Sequence, residues 1–141
     1  MAKKKVFVSF DFDNDKQYKY LLEAWNANPD FDFVFDDKTP TEIDSNNIGR
    51  IKAALTVKIN SATHTLVIIG KEANKYHKDY RLIGFRNWIN FEIHQSKLNH
   101  NKIVAVKIDR SYESPDELAD AGASWALSFA QDAILKALNA A

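Results

Sequence analysis

The sequence predicts a three-layer α/β sandwich around a central parallel sheet. Short apolar runs alternate along the chain with segments of helical periodicity, as expected for strands joined by crossover helices. Residues 64–70 (HTLVIIG) form a continuous run that ends in glycine, which is typical of a central strand buried on both faces. We therefore predict a flavodoxin-like fold, formed as a single domain over residues 1–141.

The first elements are predicted as strand, helix and strand. Residues 5–10 (KVFVSF) form a β-rich run, and Asn14 can cap the helix that follows. The apolar residues of this helix share one face: Tyr18, Leu21, Leu22 and Trp25. Residues 31–35 (FDFVF) alternate phenylalanine with Asp32 and Val34, which indicates a second strand.

The rest of the chain continues this alternation. Residues 45–59 carry isoleucine and leucine at spacings of three and four, which predicts a helix. After the strand at residues 64–70, a long polar loop leads into a helix from about Phe85. Residues 102–109 (KIVAVKID) indicate another strand, and residues 124–141 are predicted to close the chain as a helix.

A ligand site is expected at the carboxyl ends of the strands, where such folds bind ligands. The loops after Phe10, Phe35 and Gly70 leave these ends. Asp11 and Asp13 follow the first strand, where a receiver domain places a Mg²⁺-binding acidic pair. The third strand lacks the terminal phosphoacceptor aspartate that a receiver also requires, so the sequence disfavours phosphorelay.

Composition narrows the classes of partner. Nineteen Lys and Arg residues balance nineteen Asp and Glu residues, so no overall charge attracts nucleic acid or an anionic membrane. The chain has no cysteine, which suits a cytoplasmic protein. No apolar run approaches the roughly 20 residues that a membrane span needs.

Common nucleotide, metal and hydrolase motifs are absent from the sequence. With four glycines it has neither a GxGxxG loop nor a P-loop. The histidines show no zinc-binding spacing and are expected on loops or helix surfaces: His64, His77, His94 and His100. Ser9 lacks the G-x-S-x-G elbow of a nucleophile and is expected to be a hydrogen-bonding residue.

Glu92 is the remaining candidate for chemistry. It lies four residues after Trp88, so the two share a helix face, while Ile89 and Ile93 form an adjacent stripe suited to the core. A glutamate in the middle of a helix is ordinarily solvated. The spacing alone therefore leaves two interpretations open, a surface charge or the acid of an active site.

Five segments of the chain carry a resemblance to a known family: KVFVSFDFDND, INSATHTLVIIG, WINFEI, KIVAVKID and GASWALSF. In this order and spacing they resemble the TIR-like domains of bacterial Thoeris anti-phage systems (the ThsB type). These domains belong to the wider TIR (Toll/interleukin receptor) superfamily. The resemblance covers nearly the whole chain and implies a TIR-like version of the predicted fold.

The resemblance also implies an NAD⁺-consuming activity with Glu92 as the catalytic residue. The pocket would be formed at the exit of the first strand and by the loop at residues 36–39. The implied NAD⁺-binding residues are Ser9, Phe10, Asp11, Asp37 and Trp88. NAD⁺ would be the substrate, with no separate cofactor or metal, and relatives make a cyclic ADP-ribose isomer that signals to a separate effector.

One carboxylate is sufficient for this chemistry. Ordinary glycosidases use two, because an alkoxide leaving group must be protonated as it departs. Nicotinamide is cationic in NAD⁺ and leaves as a neutral molecule, so no general acid is required. An ionised glutamate can stabilise the oxocarbenium-like ribose electrostatically, most strongly where water is excluded.

Two other functions stay open from the sequence. Many TIR domains act by assembling with one another, so the chain could be a non-catalytic adaptor in which Glu92 is incidental. Its net charge of zero is compatible with self-association. A flavodoxin-like domain holding a different nucleotide is a further alternative.

Overall fold

The structure is a computed structural model that describes residues 4–26, 33–36 and 47–141. The strands within these residues are β1 (Lys4–Ser9), β2 (Phe33–Asp36), β3 (His64–Ile69), β4 (Lys102–Lys107) and β5 (Ser124–Ala126). They form one sheet in the order β2-β1-β3-β4-β5, and every neighbouring pair is parallel. This order is the flavodoxin-like one, which confirms the predicted fold class.

Helices cover both faces of this sheet. They are α1 (Phe12–Asn26), α2 (Ile48–Asn60), α3 (Tyr80–Ile83), α4 (Trp88–Leu98), α5 (Gln131–Ala140) and a 3₁₀ helix (Asp116–Asp120). Helices α1 and α5 pack on one face, where Leu22 and Ile134 share a buried cluster with Val8. Helices α2 and α4 cover the other face, where Leu55 packs in a cluster with Phe7. Among the described helices, none has the length and hydrophobicity that crossing a membrane requires.

The strand order reverses between β1 and β3. The chain passes from β1 outward to β2, then returns to β3 on the other side of β1 and continues to β4 and β5. Ser9, the last residue of β1, lies beside Val67 in β3, so the carboxyl ends of the two strands are adjacent. In open parallel sheets this reversal leaves a crevice at the carboxyl edge, where ligands bind.

The end of the chain differs from the sequence prediction. The predicted closing helix begins only at Gln131, and Ser124, Trp125 and Ala126 instead form the edge strand β5. These residues pair in parallel with Val104–Val106 of β4. Pairing with a preformed strand outweighs the local preference of this alanine- and leucine-containing segment for helix.

Further details of the helices differ from prediction. Helix α1 begins at Phe12, so Asn14 lies within the helix and does not cap it. Leu21 is 46% exposed, so the buried stripe of α1 consists of Leu22 with the partly buried Tyr18 and Trp25. Helix α2 begins at Ile48, because the Asn47 side chain accepts a hydrogen bond from the Arg50 amide and caps the helix there.

Candidate active site

Glu92 lies inside the protein at the carboxyl end of β1. It is 2% exposed, and its Oε1 accepts a hydrogen bond of 2.6 Å from Oγ of Ser9, which is fully buried. The two residues are 83 positions apart in sequence, so the fold alone brings them together. The expectation that a mid-helix glutamate is solvated is wrong here, and Ser9 has the hydrogen-bonding role predicted for it.

The position of Glu92 follows from how α4 is packed. Asn87 caps the helix by accepting a hydrogen bond from the Asn90 amide, so Trp88 is its first residue and Glu92 lies one turn later. The helix packs against α2, the 3₁₀ helix, β3 and β1, so more than one of its faces is covered. Its buried residues are Ile89, Asn90, Phe91, Glu92, Ile93 and Ser96.

Burial makes the Glu92 carboxyl a weaker acid than the side chain of a solvated glutamate. Desolvation raises its pKa from 4.5 to about 8, while the hydrogen bond donated by Ser9 acts in the opposite direction. At this pKa the carboxyl is largely protonated at neutral pH. A cation placed beside it would lower this pKa, because an opposite charge favours the ionised form. The site is thus suited to a positively charged ligand.

The other predicted site residues lie at different depths. Phe10 is 3% exposed, and its side chain packs in the cluster of the α1 and α5 face. Asp11 is partly exposed and accepts hydrogen bonds from the Asp13 amide (3.1 Å) and from Nδ2 of Asn14 (2.6 Å). Trp88 is partly buried and packs edge-to-face on Phe91, with ring centroids 5.6 Å apart.

The loop predicted to complete the pocket lies outside the residues that the structure describes. Asp37 and the rest of residues 37–46 fall outside the described residues, as does the first half of the predicted strand at residues 31–35. The described part of the site therefore consists of residues in or next to β1, β3, α1 and α4. Of the predicted site residues in these elements, Ser9 and Glu92 are joined by a direct hydrogen bond.

Asp15 is a buried acid of the same sheet edge that the sequence analysis missed. It is 6% exposed and lies in α1, where its backbone departs from helical geometry (φ −120°, ψ 15°). Its carboxyl lies over Gly70, directly after β3, so closely that a Cβ on Gly70 would overlap it. A signal was present: Asp15 precedes Tyr18, Leu22 and Trp25 at spacings of three, four and three, on the face that meets the sheet.

An asparagine network fixes the loop between β3 and α4. Asn74 donates to Glu113 (2.9 Å) and to Asp116 (3.1 Å), which lie after β4. Asn87 donates to the Ala73 and Lys75 carbonyls.

Asn90 is the residue that joins these groups, and it is 1% exposed. Its Nδ2 donates to the side-chain oxygens of Asn74 and Asn87, and its Oδ1 accepts a hydrogen bond of 3.0 Å from the Glu117 amide. This loop is thus an anchored support for the amino end of α4.

Substituting Asn90 should destabilise the protein by about 3 kcal/mol. Asn90→Ala removes three hydrogen bonds, each worth about 0.5–1.5 kcal/mol, and it leaves the Glu117 amide without its partner. The side-chain oxygens of Asn74 and Asn87 keep backbone amides as donors. Urea unfolding would measure the change. Gln95→Ala, at a partly buried position of the same helix, is the matched control and should change stability by less than about 1 kcal/mol. Equal effects of the two substitutions would show that the network is not stabilising.

The four histidines differ in burial. His64 is 4% exposed at the amino end of β3, contrary to the predicted surface position, and burial lowers the pKa of its imidazole. His94 is partly exposed and lies 3.5 Å from a Glu117 carboxylate oxygen. Within residues 4–26, 33–36 and 47–141, no group of three or more His, Cys, Asp or Glu side chains is arranged to hold a metal ion.

Comparison with known proteins identifies one family and several structures of the same fold. The family described as the TIR-like domain of the Thoeris protein ThsB matches residues 7–113, which include the last three residues of β1, up to Ser9, and the whole of α4. A prokaryotic SEFIR domain superposes with a TM-score of 0.57 at 14% sequence identity, covering 98% of this chain and 95% of that one. No curated protein matches the chain significantly.

Two 2-deoxyribosyltransferases also share the fold. The enzyme from Bacillus psychrosaccharolyticus superposes with a TM-score of 0.58 at 14% identity, covering 89% of this chain and 87% of the enzyme. The enzyme from Leishmania mexicana superposes with a TM-score of 0.52 at 14% identity, covering 82% and 76%. At this level of identity the likeness concerns the fold alone.

Proposed function

The chain belongs to the family of the TIR-like domain of the Thoeris protein ThsB, and from this premise we propose that it cleaves the nicotinamide–ribose bond of NAD⁺. The product would be ADP-ribose or a cyclic ADP-ribose that acts as a signal in bacterial anti-phage defence. The observation that carries this proposal is the buried carboxyl of Glu92, held by Ser9 at the carboxyl end of β1. One buried acid at the carboxyl edge of the sheet, able to carry a negative charge beside the ribose, is what this reaction needs.

The proposed reaction uses the charge of the substrate. The bond between C1′ of the ribose and the ring nitrogen breaks, and its electron pair stays on nicotinamide, which leaves as a neutral molecule. Before this step, the cationic ring near Glu92 lowers the pKa of the carboxyl from about 8 and favours its ionised form. The carboxylate then stabilises the positive charge that develops on the ribose.

The nucleophile determines the product. Water that attacks C1′ and loses a proton gives ADP-ribose, whereas attack by a nitrogen of the same molecule's adenine gives a cyclic product. Positioning of the adenine decides between them. The names of the 2-deoxyribosyltransferases describe transfer of a deoxyribosyl group, so this fold supports chemistry on sugars elsewhere.

The proposed reaction assigns roles to the other predicted residues and partners. Asp11, Asp37, Trp88 and the backbone at Phe10 would contribute to binding NAD⁺, which is the substrate. The proposed reaction needs no resident cofactor or metal, because the nicotinamide ring is already cationic in NAD⁺ and leaves as a neutral molecule. The expected partners are NAD⁺, further copies of this chain through TIR-type contacts, and an effector that receives the small-molecule signal in the cytoplasm.

Product analysis tests the proposed function directly. Concentrated protein is incubated with NAD⁺, and lysates of phage-infected cells expressing the chain are analysed in parallel, with nicotinamide and ADP-ribose products separated by chromatography and mass. We expect nicotinamide together with ADP-ribose or its cyclic form. Assembly of the protein without nicotinamide release in either sample would contradict the proposal and favour the adaptor function.

A further inference from the structure

Asp15 has a carboxylate oxygen that the described residues do not satisfy. Its Oδ2 is fully buried and has no hydrogen-bond partner within the part of the chain that the structure describes. The residue as a whole is 6% exposed. Leaving a buried carboxyl oxygen without a partner costs free energy, and native proteins rarely keep such a group without a use for it.

The fold places Asp15 and Glu92 at the same edge of the sheet, on opposite faces. Ser9 lies on the same sheet face as Phe7, which packs with α2 and α4, and it bonds Glu92 there. Gly70 continues the alternation of Leu66 and Ile68, which point to the α1 and α5 face, and Asp15 covers it from α1. Two buried carboxyls thus flank the carboxyl ends of β1 and β3 from opposite faces of the sheet.

The surroundings of Asp15 make room for this carboxyl. Gly70 has no side chain, and any Cβ at that position would overlap the Asp15 carboxylate. The non-helical backbone at Asp15 interrupts α1 at the same residue. A simpler explanation is that an acid in the first turn of α1 stabilises the helix dipole. That effect needs only an exposed carboxylate such as Asp13, and it does not account for burial over Gly70.

We propose that Asp15 is a substrate-binding residue whose Oδ2 accepts a hydrogen bond from a ribose hydroxyl of NAD⁺. This inference rests on the proposed function, since it assigns Asp15 to the substrate site at the same sheet edge as Glu92. A vicinal diol supplies the donors that an acceptor-only carboxylate lacks. NAD⁺ contains two riboses, and both offer this chemistry. If the adenosine ribose is bound, a 2′-phosphate there would be repelled by Asp15, so NAD⁺ would be preferred over NADP⁺.

Ligand affinity tests this assignment without requiring turnover. Titration calorimetry would measure NAD⁺ and NADP⁺ binding to the full chain carrying Glu92→Gln, with and without Asp15→Ala. We expect Asp15→Ala to weaken NAD⁺ binding about 10- to 100-fold, the usual range for a hydrogen bond to a charged group. Asp13→Ala, which removes an exposed acid two residues earlier, should leave affinity unchanged. A smaller loss for NADP⁺ than for NAD⁺ would assign the adenosine ribose, and equal losses the nicotinamide ribose.

Thermal stability separates a binding role from a structural one. Asp15→Ala removes an unpartnered buried acceptor, so its melting temperature at pH 8 should equal or exceed that of the parent. A lower melting temperature together with weaker binding would overturn the assignment in favour of a structural role. NAD⁺ binding by the Asp15→Ala variant as tight as by the Asp13→Ala control would also overturn it.

The two proposals fail in different ways. Wild-type protein that binds NAD⁺ but releases no nicotinamide overturns the proposed function, and the affinities of the Asp15 variants then decide the present inference alone. Wild-type protein that releases nicotinamide, with no effect of Asp15→Ala on NAD⁺ affinity, overturns only the role of Asp15. Absence of NAD⁺ binding by both the wild type and the Glu92→Gln variant overturns both proposals.

Discussion

Replacing Glu92 by glutamine should abolish nicotinamide release from NAD⁺ while leaving the fold intact. Glutamine has nearly the same shape and keeps a carbonyl oxygen that can accept the 2.6 Å hydrogen bond from Ser9. It cannot carry the negative charge that the oxocarbenium-like ribose requires. Losing one preorganised electrostatic contact commonly lowers kcat about 10²- to 10³-fold, and we expect at least a 10³-fold loss because no second acid is assigned to the reaction.

The matched control is Glu23→Gln, which removes the same charge from an exposed position of α1. Both variants and the wild type would be assayed for nicotinamide under the conditions in which the wild type is active, with circular dichroism used to compare their folds. The Glu23 variant should behave like the wild type. Turnover by the Glu92 variant within tenfold of the wild-type rate would contradict the catalytic assignment, whatever product is formed.

The buried strands could be predicted from sequence because each carries its own signal. Residues of β3 are buried along their whole length, and the continuous run at residues 64–70 reports that directly. The three-residue strand β5 has no such signal, since its existence depends on pairing with β4. Local pattern therefore indicated the sheet and its layers but assigned the edge strand to a helix.

The site could be predicted only in part, for a related reason. Spacing places Glu92 one turn after Trp88 but says nothing of what covers the helix, and α4 is buried on several faces. The link between Ser9 and Glu92 spans 83 residues and exists only in the folded chain. The resemblance to a family supplied Glu92, whereas the acid on the sheet-facing stripe of α1, Asp15, was visible in the helical periodicity and needed the structure to show that it is buried.

The free energy of unfolding should fall as pH rises from about 6.5 to 8, and Glu92 should cause most of this change. Its pKa is raised from 4.5 to about 8 on folding, so the folded state holds a proton that the unfolded state has released. Stability linked to this group is complete below pH 4.5 and is lost as pH rises towards 8. One proton per molecule corresponds to about 1.4 kcal/mol per pH unit, or roughly 2 kcal/mol over this interval.

Two other buried groups titrate below this interval, so pH 6.5 to 8 isolates Glu92. The pKa of Asp15 is raised to about 6, first by burial and then by Asp11, and its stabilising effect is lost mainly between pH 3.8 and 6. The pKa of His64 is lowered from 6.5 by burial, so His64 acts in the opposite direction and mainly below 6.5. Urea unfolding at constant ionic strength would show the wild-type slope, and Glu92→Gln should remove most of it, becoming more stable than the wild type at pH 8. Parallel slopes for the two proteins would mean that Glu92 ionises as freely in the folded chain as in the unfolded one, and the protonated state inferred from the burial of its carboxyl would be wrong.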